Sequence, residues 1–265
     1  MDPLGQPANI DDSGFLRQAI SNTISSTRES MNITIDKKRM YFAGHSNGCM
    51  MDQAMAAQHS DIVAAVCCHS GLLVTDDIPS NYHPTPIQTV FGDLDLVVPY
   101  DITTPFFNAL PIQNAVENFE FWGKVNNCTK KSTTIDDDNI YKKHTYSECR
   151  DNATIQMLQI FGAGHVPYKE YNLSSVEIAL RIARTTVDTT KLSWDFCSNY
   201  ELDVEPTFPD PVPYVNPYTT FIGDIDNATN SNISSQPTTM TNDGWNLSTN
   251  ILPGVLLFMY FIVRS

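Results

Sequence analysis

Apolar and polar positions alternate over residues 10–200 in a way that predicts strands interleaved with helices. Short apolar runs predict buried strands at Met40–Ala43, Val63–Cys68, Ile87–Phe91 and Thr154–Phe161. Apolar residues at helical spacing predict helices directly after Ser46, over Ile112–Trp122, and from a capping box at Ser174–Glu177 to Val187. Strands that alternate with helices indicate an α/β fold with a parallel sheet, in one domain over residues 1–200.

The chain changes in composition after residue 200. Residues 201–250 first contain closely spaced prolines and then become rich in Ser, Thr and Asn, which predicts a linker without a core. Residues 251–265 are apolar but too few to cross a bilayer, which needs about 20 residues. This tail resembles the signal for a GPI anchor, with Asn242 as the candidate attachment residue. The alternatives for this tail are a marginal membrane helix and a buried terminal segment.

The net charge of −14 argues against a nucleic-acid partner, because phosphate binding needs clustered Lys and Arg. Sequons, cysteines and the anchor-like tail instead favour an extracellular or cell-surface protein that contacts membrane only through its tail or a lipid anchor. No signal peptide precedes the first helix in this sequence. The candidate glycosylation sites are Asn32, Asn127, Asn152, Asn172, Asn227, Asn232 and Asn246.

The segment GHSNG, Gly44–Gly48, fits the G-x-S-x-G pattern, which is weak by itself. Its surroundings strengthen it, because a predicted strand enters at Gly44 and a predicted helix leaves after Ser46. This strand–turn–helix context is the one that a nucleophile elbow requires. Ser46 is therefore the candidate nucleophile, and the backbone N–H of Asn47 is a candidate donor to an oxyanion.

A serine nucleophile needs a base and an acid that orients the base. Of the six histidines, His165 stands in a glycine-flanked loop after a late predicted strand, where α/β-hydrolases place their base. The side chain of His45 is expected to diverge from that of Ser46. For the acid, the loop after Phe91 offers Asp93 and Asp95, and spacing alone does not decide between them.

Five segments in order resemble the esterase family that contains polyhydroxybutyrate depolymerases and feruloyl esterases. They are DDSGFL, RMYFAGHSNGCMM, GDLDLVVPY, FWGKVNNC and GAGHVPY, and the resemblance spans about residues 10–198. The resemblance implies an α/β-hydrolase fold in which Ser46 is the nucleophile, Asp95 the acid and His165 the base. It also implies a disulfide between Cys128 and Cys149.

The sequence departs from this family at its start. Family members carry further strands and a glycine-rich loop upstream, and that loop supplies a second oxyanion donor for which this chain has no counterpart. With the absent signal peptide, this predicts a truncated sequence. No pairing is predicted for Cys49, Cys67, Cys68 and Cys197. Cys67-Cys68-His69 is not expected to bind a metal, because adjacent cysteines in a strand point to opposite faces.

The expected function is that of a serine carboxylic-ester hydrolase that needs no cofactor or metal. Its expected substrates are feruloyl, other aryl or acetyl esters of polysaccharide, or hydroxyalkanoate polyesters. A peptidase or lipase on the same fold is a further possibility. The alternative from another class is a catalytically silent, surface-anchored glycoprotein that retains the hydrolase fold.

Overall fold

The computed structural model describes residues 11–103, 107–169, 185–212 and 257–264, together with residues 172, 175 and 178. Four helices of eight or more residues lie within these ranges. They are α1 (Asp12–Met31), α2 (Asn47–Gln58), α3 (Ala115–Val125) and α4 (Thr189–Cys197). The strands are β1 (Thr34–Gly44), β2 (Ala65–His69), β3 (Ile87–Gly92), β4 (Lys130–Ile135), β5 (Tyr141–Ser147), β6 (Ile155–Ile160) and β7 (Leu257–Arg264).

These strands form one sheet in the order β4-β5-β6-β3-β2-β1-β7. The central strands β1, β2, β3 and β6 run parallel to one another, as the alternation of strands and helices predicts. The sheet is not parallel throughout, however, because β4, β5 and β7 are antiparallel to their neighbours. The chain belongs to the α/β class, and this mixed sheet with flanking helices is consistent with an α/β-hydrolase fold.

The β4–β5 hairpin has no counterpart among the predicted elements. Every residue of β4 is exposed and every residue of β5 is half-buried, so neither strand carries the apolar run that marks a buried strand. The hairpin continues the sheet beyond β6, where Tyr146 pairs with Ile155 and Tyr141 with Ile160. Backbone pairing at the open edge of β6, together with the Tyr146 ring that lies 4.7 Å from the Phe119 ring of α3, therefore fixes this part of the fold.

Two predicted helices differ in the structure. The helix predicted over Ile112–Trp122 is shifted to Ala115–Val125, because the Asn114 side chain accepts a hydrogen bond from the Glu117 N–H and caps the helix there. Most of the helix predicted from Ser174 lies outside the described residues. Helix α4, which begins at Thr189 after an Asp188 cap, was not predicted as a separate element.

The apolar tail contributes β7, which pairs with β1 in antiparallel fashion from Leu257 opposite Gly44 to Arg264 opposite Thr34. No strand was predicted in the tail. A run of strand-forming residues can satisfy the unpaired backbone groups at the open edge of β1, which gives a physical reason for this pairing. No helix in the described part of the chain is long and apolar enough to cross a membrane.

Side chains alternate between the two faces of the central strands. On β2, Val66 and Cys68 join a large apolar cluster with residues of α1, α2 and α3, whereas Ala65 and Cys67 join a smaller cluster with α4. Two disulfides follow the same alternation. Cys68 bonds to Cys49 of α2 on one face, and Cys67 bonds to Cys197 at the end of α4 on the other. β2 is thus covalently joined to a helix on each side of the sheet.

A buried polar contact joins α2 to α3 within the large cluster. The indole N–H of Trp122 donates to Oε1 of Gln53 at 2.8 Å, and both side chains are completely buried. Gln53 also donates from Nε2 to the carbonyl oxygen of Gly71 at 2.9 Å, in the loop after β2. One side chain therefore connects two helices and the loop that lies behind the elbow.

We predict that Gln53→Ala lowers the free energy of unfolding by about 2 kcal/mol, because it leaves a buried indole N–H without an acceptor. Urea unfolding of the variant measures this loss. In a Trp122→Phe background, Gln53→Ala should lower the free energy of unfolding by about 1 kcal/mol less than it does in wild type, because no indole N–H is then left unpaired. Strictly additive losses would contradict a direct coupling between the two side chains.

Candidate active site

The turn between β1 and α2 holds Ser46 in an unusual backbone conformation. Its φ is 56° and its ψ is −119°, in a region that residues other than glycine rarely adopt. The turn is tight, since a Cβ placed on Gly44 would lie 2.6 Å from the backbone carbon of Gly48. We call residues Gly44–Gly48 the elbow. Its geometry requires glycine at position 44 and projects the Ser46 side chain from the carboxyl edge of the sheet.

The elbow ends at the N-terminus of α2, which begins at Asn47. The first N–H groups of a helix have no partner within the helix, and the helix dipole concentrates partial positive charge there. The Asn47 N–H is one of these groups and directly follows Ser46. The structure therefore places the predicted oxyanion donor beside the predicted nucleophile.

His165 lies between Ser46 and Asp95 and contacts both. Its Nε2 is 3.0 Å from the Ser46 Oγ, and its Nδ1 is 2.8 Å from the Asp95 Oδ2. An ionised carboxylate only accepts hydrogen bonds, so the proton belongs on Nδ1 and Nε2 is free to accept from the serine hydroxyl. Residues from the ends of three strands, β1, β3 and β6, are thus joined in one hydrogen-bonded series.

Asp95 and Asp93 take different partners, and this distinguishes two residues that spacing leaves equivalent. The Asp95 side chain is fully buried and accepts through Oδ1 from the N–H groups of Val97 and Val98, at 2.7 and 2.9 Å. Asp93 instead accepts from the Gly162 N–H at 2.7 Å and closes the loop after β6. Asp95 therefore faces His165, while Asp93 holds the loop after β6 in place.

The loop that carries His165 is held against the end of β3 and against the elbow. A Cβ on Gly92 would lie 2.2 Å from the carbonyl oxygen of Ala163, so β3 and this loop approach as closely as backbone atoms allow. The ring of His45 contacts the same loop, since its Nε2 lies 2.8 Å from the His165 carbonyl oxygen and the two ring centroids are 4.8 Å apart. This contact joins the elbow to the loop that carries His165.

Two buried ionisable groups beside the elbow were not identified from the sequence. His69 ends β2 and stacks on Tyr168 with ring centroids 4.6 Å apart, and burial lowers its pKa to about 3. Asp52 of α2 is completely buried near Gly44, and burial raises its pKa well above the usual range. Burial therefore favours the neutral form of both groups, and His69 is neutral at pH 7. Only their tertiary burial distinguishes them from other His and Asp residues, so no sequence signal could have found them.

A cavity of about 730 Å³ lies near the elbow on the α4 side of the sheet. Its walls include His45, His69, Tyr168 and Trp194. The described residues that line it do not include Ser46, Asp95 or His165. The cavity thus borders the elbow at Gly44 and His45.

The remaining predicted residues lie as follows. Cys128 and Cys149, the pair that the resemblance implies, form a disulfide, so that all six cysteines are paired. Asn32, Asn127, Asn152 and Asn172 are exposed, whereas Asn227, Asn232, Asn242 and Asn246 lie outside the described residues. Within the described ranges, no group of three His, Cys, Asp or Glu side chains is arranged to share a metal ion. Cys67 and Cys68 each belong to a separate disulfide.

The chain can be compared with known proteins in two ways. No protein-family model matches the chain. The chain is similar to feruloyl esterase B of Piromyces equi, with 28% identity over an alignment of 177 residues that covers 62% of this chain and 32% of the relative. The chain thus matches about a third of that relative's length. The similarity supports the feruloyl esterase part of the expected resemblance and gives no support to the polyhydroxybutyrate depolymerase part.

The buried His69 predicts a loss of stability in acid. Its pKa is about 3 in the folded chain, against about 6.5 when exposed, so below pH 6.5 the unfolded chain takes up a proton that the folded chain does not. The free energy of unfolding should fall by about 1.4 kcal/mol for each pH unit between about 6 and 3 from this residue alone. His69→Phe should remove that part of the slope in urea unfolding across this range.

His83→Phe provides the matched control, since it replaces an exposed imidazole with the same side chain. The slope of its free energy of unfolding against pH is the reference for the slope of His69→Phe. Equal slopes in the two variants would contradict a neutral, buried His69.

Proposed function

We propose that this chain is a serine carboxylic-ester hydrolase in which Ser46, His165 and Asp95 carry out catalysis. The observation that carries the proposal is the hydrogen-bonded series from the Ser46 hydroxyl through His165 to the buried Asp95. Structural needs alone do not require a strained serine, a histidine and an acid to meet at the carboxyl edge of a sheet. The similarity to a feruloyl esterase supports the same reaction class.

In the first half of the reaction, the Ser46 Oγ attacks the carbonyl carbon of the ester while its proton passes to Nε2 of His165. Asp95 stabilises the resulting imidazolium through Nδ1–H and holds the ring in the required tautomer. The Asn47 N–H donates to the oxyanion that forms on the carbonyl oxygen. The bond to the alcohol then breaks, and His165 returns the proton to the departing alkoxide, which leaves an acyl-enzyme.

In the second half, water attacks the acyl-enzyme and gives its proton to His165. The second tetrahedral intermediate collapses, the carboxylic acid leaves, and Ser46 regains its proton. The two halves use the same groups in the same positions, because His165 acts first as a base and then as an acid in each. The proposed mechanism needs no cofactor or metal.

For the substrate, we propose feruloyl, other aryl or acetyl esters attached to polysaccharide. Hydroxyalkanoate polyesters are the second class that the sequence suggests, and the relative's name favours the first class.

We further propose an extracellular setting. Three disulfides are typical of secreted proteins. Attachment by a GPI anchor at Asn242 remains part of this proposal, and such processing would remove β7 from the mature chain.

The proposal predicts unequal effects of removing two neighbouring carboxylates. Asp95→Asn should lower kcat on a feruloyl ester by about 10⁴-fold, because an amide cannot hold the required tautomer of His165. Asp93→Asn should cost about tenfold or less, since Asp93 contacts the loop at Gly162 and not the imidazole. Steady-state kinetics of the two variants, with equal folding checked by circular dichroism, tests this. A larger loss in Asp93→Asn would refute the assignment of the acid.

A further inference from the structure

The elbow needs external support, because its backbone conformation is unfavourable. A residue held outside the common φ/ψ regions costs about 1–3 kcal/mol and persists only where its surroundings fix it. Ser46 stands at the N-cap of α2, yet its side chain makes no capping hydrogen bond there. Its hydroxyl contacts His165 instead. The side chain that would normally stabilise the start of the helix is thus committed elsewhere.

Support comes from β2 through one hydrogen bond and one covalent bond. The Ser46 N–H donates to the carbonyl oxygen of His69 at 2.9 Å. Cys49, in the first turn of α2, is bonded to Cys68, which directly precedes His69. The two links close a small ring, whose members are Ser46, Asn47, Gly48, Cys49, Cys68 and His69.

This ring contains both groups that act on the ester carbonyl in the proposed mechanism, the Ser46 hydroxyl and the Asn47 N–H. We propose that the Cys49–Cys68 disulfide is a positioning element that fixes these two groups relative to the end of β2. The inference rests on the proposed function for its catalytic consequence, whereas its structural part concerns the elbow alone.

The surroundings of the disulfide favour a permanent constraint over a redox switch. Cys49 and Cys68 are both completely buried. On the far side, a Cβ on Gly71 would lie 2.6 Å from the Cys49 Cβ and 2.6 Å from the Ser46 carbonyl oxygen. The first turn of α2 is therefore enclosed between the disulfide and the loop after β2, where a dissolved thiol has no access without unfolding.

Comparison with the neighbouring disulfide distinguishes an effect on the position of the elbow from an effect on overall stability. Cys67–Cys197 starts one residue away on the same strand, is also buried, and lies on the opposite face without a bond to the elbow. It spans 130 residues of sequence, against 19 for Cys49–Cys68. Because the entropy that a cross-link removes from the unfolded chain grows with loop length, Cys67–Cys197 should contribute more to thermal stability. If Cys49–Cys68 positions the elbow, its removal should instead lower kcat more than removal of Cys67–Cys197.

The test compares Cys49→Ala/Cys68→Ala with Cys67→Ala/Cys197→Ala at a temperature where both variants are folded. We expect the first pair to lower kcat by about 10- to 100-fold with little change in KM, because misplacement of reacting groups by about 1 Å has effects of this size. The second pair should lower Tm more and keep kcat within about threefold of wild type. Equal losses of kcat, or losses that follow Tm, would overturn the inference.

Amide hydrogen exchange of the peptide that covers residues 44–51 provides a readout independent of activity. Exchange should accelerate at least tenfold when the Cys49–Cys68 bond is absent and stay unchanged when Cys67–Cys197 is absent. Unchanged protection in the first pair would overturn the structural part. A wild-type chain that hydrolyses no ester would refute the proposed function, and the exchange result would still decide whether the disulfide fixes the elbow.

If the alanine pair does not fold, Cys49→Val/Cys68→Ala restores buried volume without the bond, and both readouts apply to it.

Discussion

The turn at Ser46 imposes a constraint that neighbouring parts of the structure satisfy. A strand must end, reverse through a left-handed φ of 56°, and start a helix within a few residues. Gly44 is required because any side chain there would meet the backbone of Gly48. The end of β2 accepts the Ser46 N–H, and the Cys49–Cys68 bond joins the same two segments. The central parallel strands then bring the acid and histidine loops to the same edge of the sheet, where hydrogen bonds about 3 Å long can form.

This arrangement has a cost near the elbow. Asp52 and His69 are buried on opposite sides of β1 and β2 with side-chain atoms that have no hydrogen-bond partner among the described residues. Burial favours the neutral form of both through opposing shifts, upward for the Asp52 pKa and downward for the His69 pKa. Stability from Asp52 is present below its ordinary pKa and is lost as pH rises, whereas stability from His69 is lost as pH falls. Unpaired buried groups close to a strained turn are typical of sites where function and stability conflict.

The sequence predicted the local features of the site better than the tertiary ones. Ser46 and His165 were identifiable because a glycine-rich turn after an apolar strand is a local pattern. Asp95 could not be separated from Asp93 by spacing, since two residues in one loop differ only in the direction of their side chains. The β4–β5 hairpin was missed because β4 is exposed, β5 is only half-buried, and neither strand carries an apolar period. The pairing of Cys49 with Cys68 depends on how α2 lies against β2, which no spacing along the chain encodes.

The central claim is that Ser46 is an activated nucleophile, and its most direct test is labelling with a fluorophosphonate, followed by intact mass spectrometry. The full chain should gain one phosphonyl group at neutral pH, and Ser46→Ala should gain none while remaining folded. A folded wild-type chain that gains no label would contradict the account and would favour a catalytically silent glycoprotein that keeps the fold.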